Sequence, residues 1–434
     1  MAVASTESFA HFGSKLFATI TRENNFQNVF LSPASIALAM SMCTAGARHE
    51  TLKQMLKVFE VSSIKDLENS ANHVMQVFSN NREKKSSTIQ SATDLLPSAS
   101  DLSKVPNPSS VTLRLVNCLY VQKGFTIRDD YLDLLKHSFH SAIDLEDFEN
   151  NSAEVVEKIN VWVEKQTRKR IRDLLSTNEV TKDTRLILVN CIYFKGEWVD
   201  RFQQNSTDKN ADFHGIDGTT SKIELMFQKT NFNYAENKDL QIQIAHLPYK
   251  NMDSSGVFIF TIVLPHEGVN LNEIEGKLMS NTKLMHDVLS FDNANSIELS
   301  LYLPKFKMET KYELGEMMIS LGMKDAFDEK KANFKGIIGT IKDENRIAIT
   351  KVIHRTFLNV DEEDKDSSAS RSPYCTEAAG AGAVIMGRFG CRFRDTEKPI
   401  EFKANRPFLF FIQEVRQNVI LFSGKFVSPP TPSR

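Results

Sequence analysis

The first apolar side chains of the sequence recur at intervals of three and four residues, the spacing that places them on one face of an α-helix. They are Phe9, Phe12, Leu16, Phe17 and Ile20. This pattern predicts a first amphipathic helix whose apolar face lies on a core. A second helix is predicted to begin at Ser32, which is suited to the N-cap, with Pro33 in the first helical position.

Apolar residues near the other end of the sequence form continuous runs instead. The runs Asn405–Ile412 (NRPFLFFI) and Val419–Val427 (VILFSGKFV) lie between turn-forming residues, which is typical of buried strands. Helical stretches and apolar strands alternate along the rest of the chain, without an internal repeat. We therefore predict a mixed α/β fold with one domain over residues 1–434, interrupted by a polar insertion at residues 81–110.

A third pattern lies just before these strands, at Thr376–Val384 (TEAAGAGAV), which contains one charge and no large side chain. Alanine has no turn-forming chemistry, so an ordinary loop does not explain the composition. In a strand, alternate side chains face opposite ways. One face would then be uncharged, and the single carboxylate, Glu377, would point to solvent. The segment is compatible with two states, an exposed loop and an inserted strand.

These segments, in this order, resemble the serpin family of serine protease inhibitors. The resemblance continues upstream and covers nearly the whole chain. The matching segments there are NVFLSPASIALAM (28–40), LILVNCIYFKGEW (186–198), LYLPKFKME (301–309), LGMKDAFDEKKANFKGI (321–337) and ITKVIHRTF (349–357). The resemblance implies three β-sheets, about nine helices and an exposed reactive-centre loop, with residues 358–403 containing the hinge and an extended loop.

The resemblance also implies a mechanism, in which a protease attacks a bait bond and the cleaved loop inserts as a strand. Its hinge would be Thr376, Glu377, Ala378, Ala379, Gly380 and Ala381. The reactive bond would be Arg388–Phe389, or alternatively Phe389–Gly390. We prefer Arg388 because Arg392 and Arg394 also favour trypsin-like enzymes with an acidic specificity pocket. A chymotrypsin-like target is the alternative.

Two further groups of residues are implied by the resemblance. Ser32, Ser35, Asn190 and His354 would form a small hydrogen-bonded set beneath strands that part during insertion. Trp198 would lie near the top of the same sheet, where insertion begins. Simple helix capping by Ser32, a satisfied core histidine at His354 and ordinary core packing of Trp198 are the alternative explanations.

The charge and composition of the sequence limit which kinds of binding partner are expected. The sequence has 53 Lys and Arg residues against 55 Asp and Glu residues, so a nucleic acid or an anionic membrane is not expected as the main partner. The basic run Lys165–Arg172 (KQTRKRIR) is predicted to lie on a helix, and solvation explains it better than polyanion binding. A serine protease is the expected partner, and the protein is expected to be a monomer.

No cofactor, metal or signal peptide is expected. The first twenty residues include Glu7 and no unbroken apolar run, which favours a cytoplasmic protein or export by a leaderless route. Three of the five cysteines lie in apolar segments, as small core residues do: Cys43, Cys118 and Cys191. Whether Cys375 and Cys391 are paired stays open. None of the ten histidines has metal-ligand spacing with cysteines.

Two rival functions are considered beside inhibition. An enzyme is disfavoured because the sequence lacks a G-x-S-x-G elbow, an H-E-x-x-H pair and a Walker-type phosphate loop. The second rival is a non-inhibitory serpin-like carrier, chaperone or storage protein. Cys375, where the family usually has Gly, and the insertion at residues 364–375 favour this rival, since a longer approach to the hinge would slow insertion.

Overall fold

The computed structural model describes residues 3–79, 111–250, 256–339, 347–362 and 400–430. Within these ranges it contains nine α-helices and fourteen β-strands. The helices are α1 (Val3–Glu23), α2 (Pro33–Gly46), α3 (His49–Phe59), α4 (Ile64–Ser79), α5 (Asp129–Ser138), α6 (Phe148–Gln166), α7 (Leu271–Ser280), α8 (Thr282–Leu289) and α9 (Gly315–Leu321). The strands are β1 (Val29–Leu31), β2 (Thr112–Gln122), β3 (Ala142–Glu146), β4 (Leu186–Lys195), β5 (Asp208–His214), β6 (Thr220–Asn237), β7 (Ile242–Pro248), β8 (Phe258–Pro265), β9 (Asn295–Pro304), β10 (Phe306–Glu313), β11 (Lys351–Val360), β12 (Ile400–Lys403), β13 (Phe408–Glu414) and β14 (Val419–Phe426).

The helix patterns predicted for the N-terminal part are confirmed. All five apolar residues of the α1 stripe are buried. Ser32 caps α2, because its side-chain oxygen accepts a hydrogen bond from the Ser35 amide at 3.3 Å, and Pro33 occupies the first turn. Every residue of α2 is buried, which makes this helix the support on which the sheets lie.

A five-stranded sheet has the order β10-β11-β4-β2-β3. Within it, β11 and β4 are adjacent and parallel, and their register joins seven residue pairs, from Lys351 with Ile187 to Phe357 with Tyr193. We call this parallel pairing the seam. The strands outside it are antiparallel to their seam neighbours, since β10 runs against β11 and β2 runs against β4.

A nine-stranded sheet has the order β1-β14-β13-β8-β7-β6-β9-β12, with β5 paired to β6. The long strand β6 pairs with β9 through residues 225–234 and with β7 only through residues 233–237. The sheet therefore has two parts that share β6. The three sheets expected from the sequence correspond to these two parts and the five-stranded sheet.

The two faces of the five-stranded sheet are covered by different layers. Leu188 and Ile192 of β4 belong to the large core that also contains the apolar residues of α1 and α2. The alternate residues Val189 and Cys191 belong to a second core, built with α6 on the opposite face. At the level of α6, both faces of the seam are consequently closed to water.

The prediction that the basic run Lys165–Arg172 lies on a helix is wrong for the residues after Gln166. α6 ends at Gln166, and the following residues turn back, with positive φ values of 51° at Arg168 and 62° at Lys169. Left-handed backbone does not continue an α-helix. The turn returns the chain so that Ile171 and Leu174, both fully buried, pack in the core under α6.

Several predicted features lie outside the described residues. They are the insertion at 81–110, the hinge residues, both versions of the reactive bond, and Cys375 and Cys391. The other three cysteines are buried and free. Among the helices that the structure describes, none is both long and apolar enough to cross a membrane.

Candidate functional site

The middle of the seam is crossed by a row of polar side chains. In the strand register, His354 of β11 lies opposite Asn190 of β4, and Asn190 lies opposite Asn117 of β2. The three side chains share the sheet face that rests on the start of α2, where Ser32 and Ser35 lie. We call these five residues the polar row.

Hydrogen bonds connect the whole polar row. Asn190 Oδ1 is 2.5 Å from His354 Nδ1 and accepts from Ser35 Oγ at 3.0 Å. Its Nδ2 donates to Asn117 Oδ1 at 2.5 Å and to the Ser35 carbonyl at 3.2 Å. The Ser32 amide lies 3.2 Å from His354 Nε2, and Ser32 Oγ donates to the Leu421 carbonyl of β14. The row therefore links both strands of the seam to α2 and to the other sheet.

The partners of His354 fix its protonation. The Ser32 amide can only donate, so Nε2 must accept, and Nδ1 carries the proton that is donated to Asn190. Complete burial disfavours the charged imidazolium and lowers the pKa of His354 to about 3. The polar row is thus free of formal charge at neutral pH.

The seam loosens above the polar row. The paired register stops at Phe357 and Tyr193, although β11 continues to Val360 and β4 to Lys195. Asp361 and Glu362 then follow β11, and residues 363–399 come next in the sequence. We call this region, where the seam ends and the predicted loop begins, the upper end.

Trp198 closes the upper end from the β4 side. Its indole Nε1–H donates to the Asp361 carbonyl at 2.9 Å, and its ring stacks on Tyr249 with centroids 4.5 Å apart. Phe202 and Phe260 meet the same ring edge-on. The side chain is buried, as core packing requires, and a role of Trp198 where insertion begins stays a prediction.

A charged group joins Trp198 at the upper end. Glu362 accepts hydrogen bonds from Lys305 Nζ at 2.6 Å and from Thr207 Oγ1 at 2.7 Å. Its side chain is only 4% exposed, while that of Lys305 is 26% exposed. Burial alone would raise the pKa of Glu362, but the hydrogen bonds from Lys305 and Thr207 outweigh burial and leave this pKa below its usual value.

Sequence reasoning missed four residues of this arrangement: Asn117, Thr207, Lys305 and Glu362. Lys305 lies within the segment LYLPKFKME that supported the resemblance, and Glu362 is the second carboxylate of the acidic run 361–364 that follows β11. Neither spacing nor composition indicates that these two side chains meet, because they are 57 residues apart. Asn117 carries a usable signal, since it is the one amide within the otherwise apolar run LVNCLYV (115–121).

The comparisons with known proteins agree with this geometry. A family model described as serpin (serine protease inhibitor) matches residues 7–429. The chain belongs to the serpin family. Serpins are typically protease inhibitors. Human Serpin B11 is 32% identical to this serpin, with 95% of this chain and 96% of the relative covered. Human leukocyte elastase inhibitor is 31% identical, with 96% and 97% covered, respectively.

Solved structures show the same fold. The native stressed conformation of Arabidopsis AtSerpin1 superposes with a TM-score of 0.79 at 22% identity, and 99% of both chains is covered. Uncleaved ovalbumin gives a TM-score of 0.76 at 23% identity, covering 98% of this serpin and 99% of that chain. These likenesses confirm the serpin architecture that the sequence predicted. Over the described residues, no cluster of His, Cys, Asp and Glu could hold a metal ion.

Proposed function

We propose that this serpin inhibits a serine protease as a suicide substrate. The protease serine attacks the bait bond and forms an acyl-enzyme, and the cleaved loop then inserts into the seam as a new strand. Insertion before deacylation traps the protease. The resting fold is accordingly held by a kinetic barrier.

The parallel seam is the observation that carries this proposal. A segment that follows β11 and folds back beside it must run antiparallel to β11. Because β4 is parallel to β11, the same segment is also antiparallel to β4. One parallel ladder would be replaced by two antiparallel ladders, which are slightly more stable per residue. Each added backbone hydrogen bond contributes on the order of 1 kcal/mol net.

The composition of the hinge fits the two faces of the seam. The face without charge would lie toward the large core, beside residues such as Leu188 and Val352. The opposite face carries Ala379, Ala381 and Ala383. On that side, α6 covers the seam and leaves no room for large side chains. Small side chains on both faces of the inserted strand would pass between the core and α6 without steric conflict.

The bait residues indicate the class of protease. One relative is named as an inhibitor of leukocyte elastase. Elastases of the chymotrypsin type have a small specificity pocket. Arg388 and Phe389 are too large for such a pocket, so we infer a trypsin-like target that cleaves after Arg388. Cleavage after Phe389 by a chymotrypsin-like enzyme is the alternative.

The direct test is brief incubation with trypsin and with chymotrypsin, followed by denaturing electrophoresis and mass spectrometry. We expect a covalent complex that survives boiling in detergent, and a released peptide that begins at Phe389. Arg388→Ala should reduce inhibition of trypsin far more than inhibition of chymotrypsin. Cleaved chain without any complex for either enzyme would favour the non-inhibitory carrier, chaperone or storage role.

A pair of hinge variants tests insertion itself. Ala378→Arg places a charge on the face that would enter the core, and an unpaired buried charge costs several kcal/mol. We expect this variant to fold, to be cleaved normally and to behave as a substrate. Glu377→Arg is the matched control, because position 377 already carries a charge on the outward face. Equal inhibition by both variants and the wild type would contradict insertion in this register.

A further inference from the structure

A second element crosses the seam on the face opposite the polar row. After α6 ends, residues 167–185 run back over the sheet and lead directly into β4 at Leu186. We call this segment the strap. Its buried side chains Ile171, Leu174 and Val180 pack in one core with Val189 of β4 and Ile353 of β11. The strap therefore covers both strands of the seam.

The strap is fixed to the β4 side of the seam. It continues into β4 through the backbone, and it is tied to α6 by a reciprocal pair of hydrogen bonds. Asn160 Nδ2 donates to the Leu175 carbonyl at 2.8 Å, and the Leu175 amide donates to Asn160 Oδ1 at 2.8 Å. These contacts leave the strap little freedom to follow the strands on the other side.

Two polar contacts nevertheless join the strap to those strands. Lys311 Nζ of β10 lies 2.8 Å from both carboxylate oxygens of Glu179. Arg355 Nη1 of β11 donates to the Asp173 carbonyl at 3.2 Å. Glu179 is held in place for its partner, because its Oε2 accepts from the amide and the hydroxyl of Ser176, each at 2.7 Å.

We propose that these two contacts form a clasp across the seam, and that the clasp sets how often the seam opens. The clasp itself does not depend on the proposed function. Only its effect on the rate of loop insertion rests on that proposal. Admitting a strand moves β10 and β11 away from β4 by about 4.8 Å, the spacing between neighbouring strands. An ion pair at 2.8 Å does not survive that displacement unless the strap is released from α6.

The clasp would determine the fate of the attacking protease. Insertion competes with deacylation, so a slowly opening seam gives more cleaved serpin and less trapped enzyme. A clasp that is too weak would instead let the seam open before any protease arrives. Glu179 and Lys311 are thus positioning residues that tune the partition between inhibitor and substrate, without touching the protease.

The structure offers a matched control pair. Arg355 Nη2 donates to Glu309 Oε1 at 2.7 Å, and this ion pair joins β11 to β10 on one side of the seam. It is similar in exposure to the Glu179–Lys311 pair but does not cross the seam. Loss of the Glu309 carboxylate therefore removes a comparable charge contact and leaves the Glu179–Lys311 pair in place.

Native-state hydrogen exchange measures seam opening directly, without any protease. In Glu179→Gln, the amide side chain can still cap Ser176, since Gln serves at this position as Glu does. We expect the seam amides of this variant to exchange roughly 3- to 5-fold faster, the upper part of the range for a partly exposed charge pair. Lys311→Met should give the same increase, and the double variant should add nothing further. Amides of β13 and β14 serve as the internal reference.

Glu309→Gln is expected to leave seam exchange within about 2-fold of the wild type, the scale of a surface substitution. Equal acceleration by Glu179→Gln and Glu309→Gln, or no acceleration by either, would overturn the clasp. Stoichiometry of inhibition provides the second arm, with fewer serpin molecules expected per trapped protease for Glu179→Gln. A wild type that never traps a protease defeats the proposed function, while the exchange comparison still decides the clasp.

Discussion

At the middle of the seam, His354 and Asn190 are fully buried and bond as neutral groups. At the upper end, the buried carboxylate of Glu362 meets the opposite charge of Lys305, whose side chain is partly exposed. Neutral hydrogen bonds between buried groups depend on geometry and are insensitive to salt. A charge pair with one partly exposed member is partly screened by salt and is lost when the carboxylate is protonated. The two regions hold the same strands, so solution conditions should loosen one without the other.

Removal of Asn190 should have the largest effect. Asn190→Leu keeps the approximate shape but leaves His354 Nδ1–H and Asn117 Oδ1 without their partners, and leaves the Ser35 hydroxyl with the Ser32 carbonyl alone. Each buried polar group without a hydrogen-bond partner costs about 1 to 3 kcal/mol, so we expect the unfolding free energy to fall by about 3 to 5 kcal/mol. Urea unfolding measures this loss.

The control for that experiment is Ile192→Leu, two residues along the same strand and on the same face. A volume-conserving apolar change of this kind costs less than about 1.5 kcal/mol. If the two variants lose equal stability, packing rather than the polar row holds the middle of the seam.

Acid should weaken the middle of the seam before the upper end. The pKa of His354 is about 3 in the folded protein and about 6.5 when the chain is unfolded. The unfolded state binds the proton more tightly, so this stability is complete above pH 6.5 and declines as the pH falls toward 3. Between pH 7.5 and 5, His354 should account for a loss of about 2 kcal/mol.

Glu362 should contribute nothing over that range. Its folded pKa lies below the usual value, so its stabilisation is present above the unfolded pKa and is lost only in stronger acid. His246, with a pKa of about 4 in the other sheet, titrates like His354 and must be removed by His246→Gln first. A flat stability profile from pH 7.5 to 5 in that variant would contradict a neutral, buried His354.

At the upper end, Glu362→Gln should lower the unfolding free energy by about 1 to 2 kcal/mol, because a hydrogen bond to a charged group is replaced by a weaker one. The difference from the wild type should shrink in 1 M salt. Glu224→Gln is the control, since Glu224 is more exposed and lies 3.6 Å from the same Lys305. A salt-independent loss for Glu362→Gln would show that charge is not what holds this end.

Trp198→Phe is expected to have the smallest effect, about 1 kcal/mol. The variant keeps an aromatic ring beside Tyr249 but cannot donate to the Asp361 carbonyl. Faster exchange of the Leu358 and Val360 amides, with unchanged exchange in the lower seam, would locate the effect at the upper end. Uniform acceleration along the seam would show that the two regions are not independent.

Sequence patterns predicted those parts of the fold whose structure is decided by residues close together in the sequence. The α1 stripe, the Ser32 cap and the strands β13 and β14 follow from spacing, capping chemistry and apolar runs, and all are confirmed. The roles of Ser35, Asn190, His354 and Trp198 came from the resemblance. The structure places the first three in one hydrogen-bonded row and Trp198 at the end of the same seam.

What local patterns could not give depends on distant contacts. The Lys305–Glu362 pair and the Glu179–Lys311 clasp join residues that lie far apart in sequence, and no spacing rule links them. The predicted helix through the basic run failed because buried Ile171 and Leu174 turn the chain back under α6. Tertiary burial there prevails over the helix propensity of Lys and Arg.

The pairing of β1 with β14 has a consequence for biosynthesis. Val29 lies opposite Lys425, and Asn28 Oδ1 accepts from the Val427 amide across 399 positions of the chain. At translation rates of 5 to 20 residues per second, roughly 20 to 80 s separate the emergence of these two partners from the ribosome. During that interval the edge of β1 and the side of α2 that packs on β14 have no permanent cover. Nascent serpin should therefore depend on chaperones until β14 is made, and a stop codon before β14 should yield an aggregating chain.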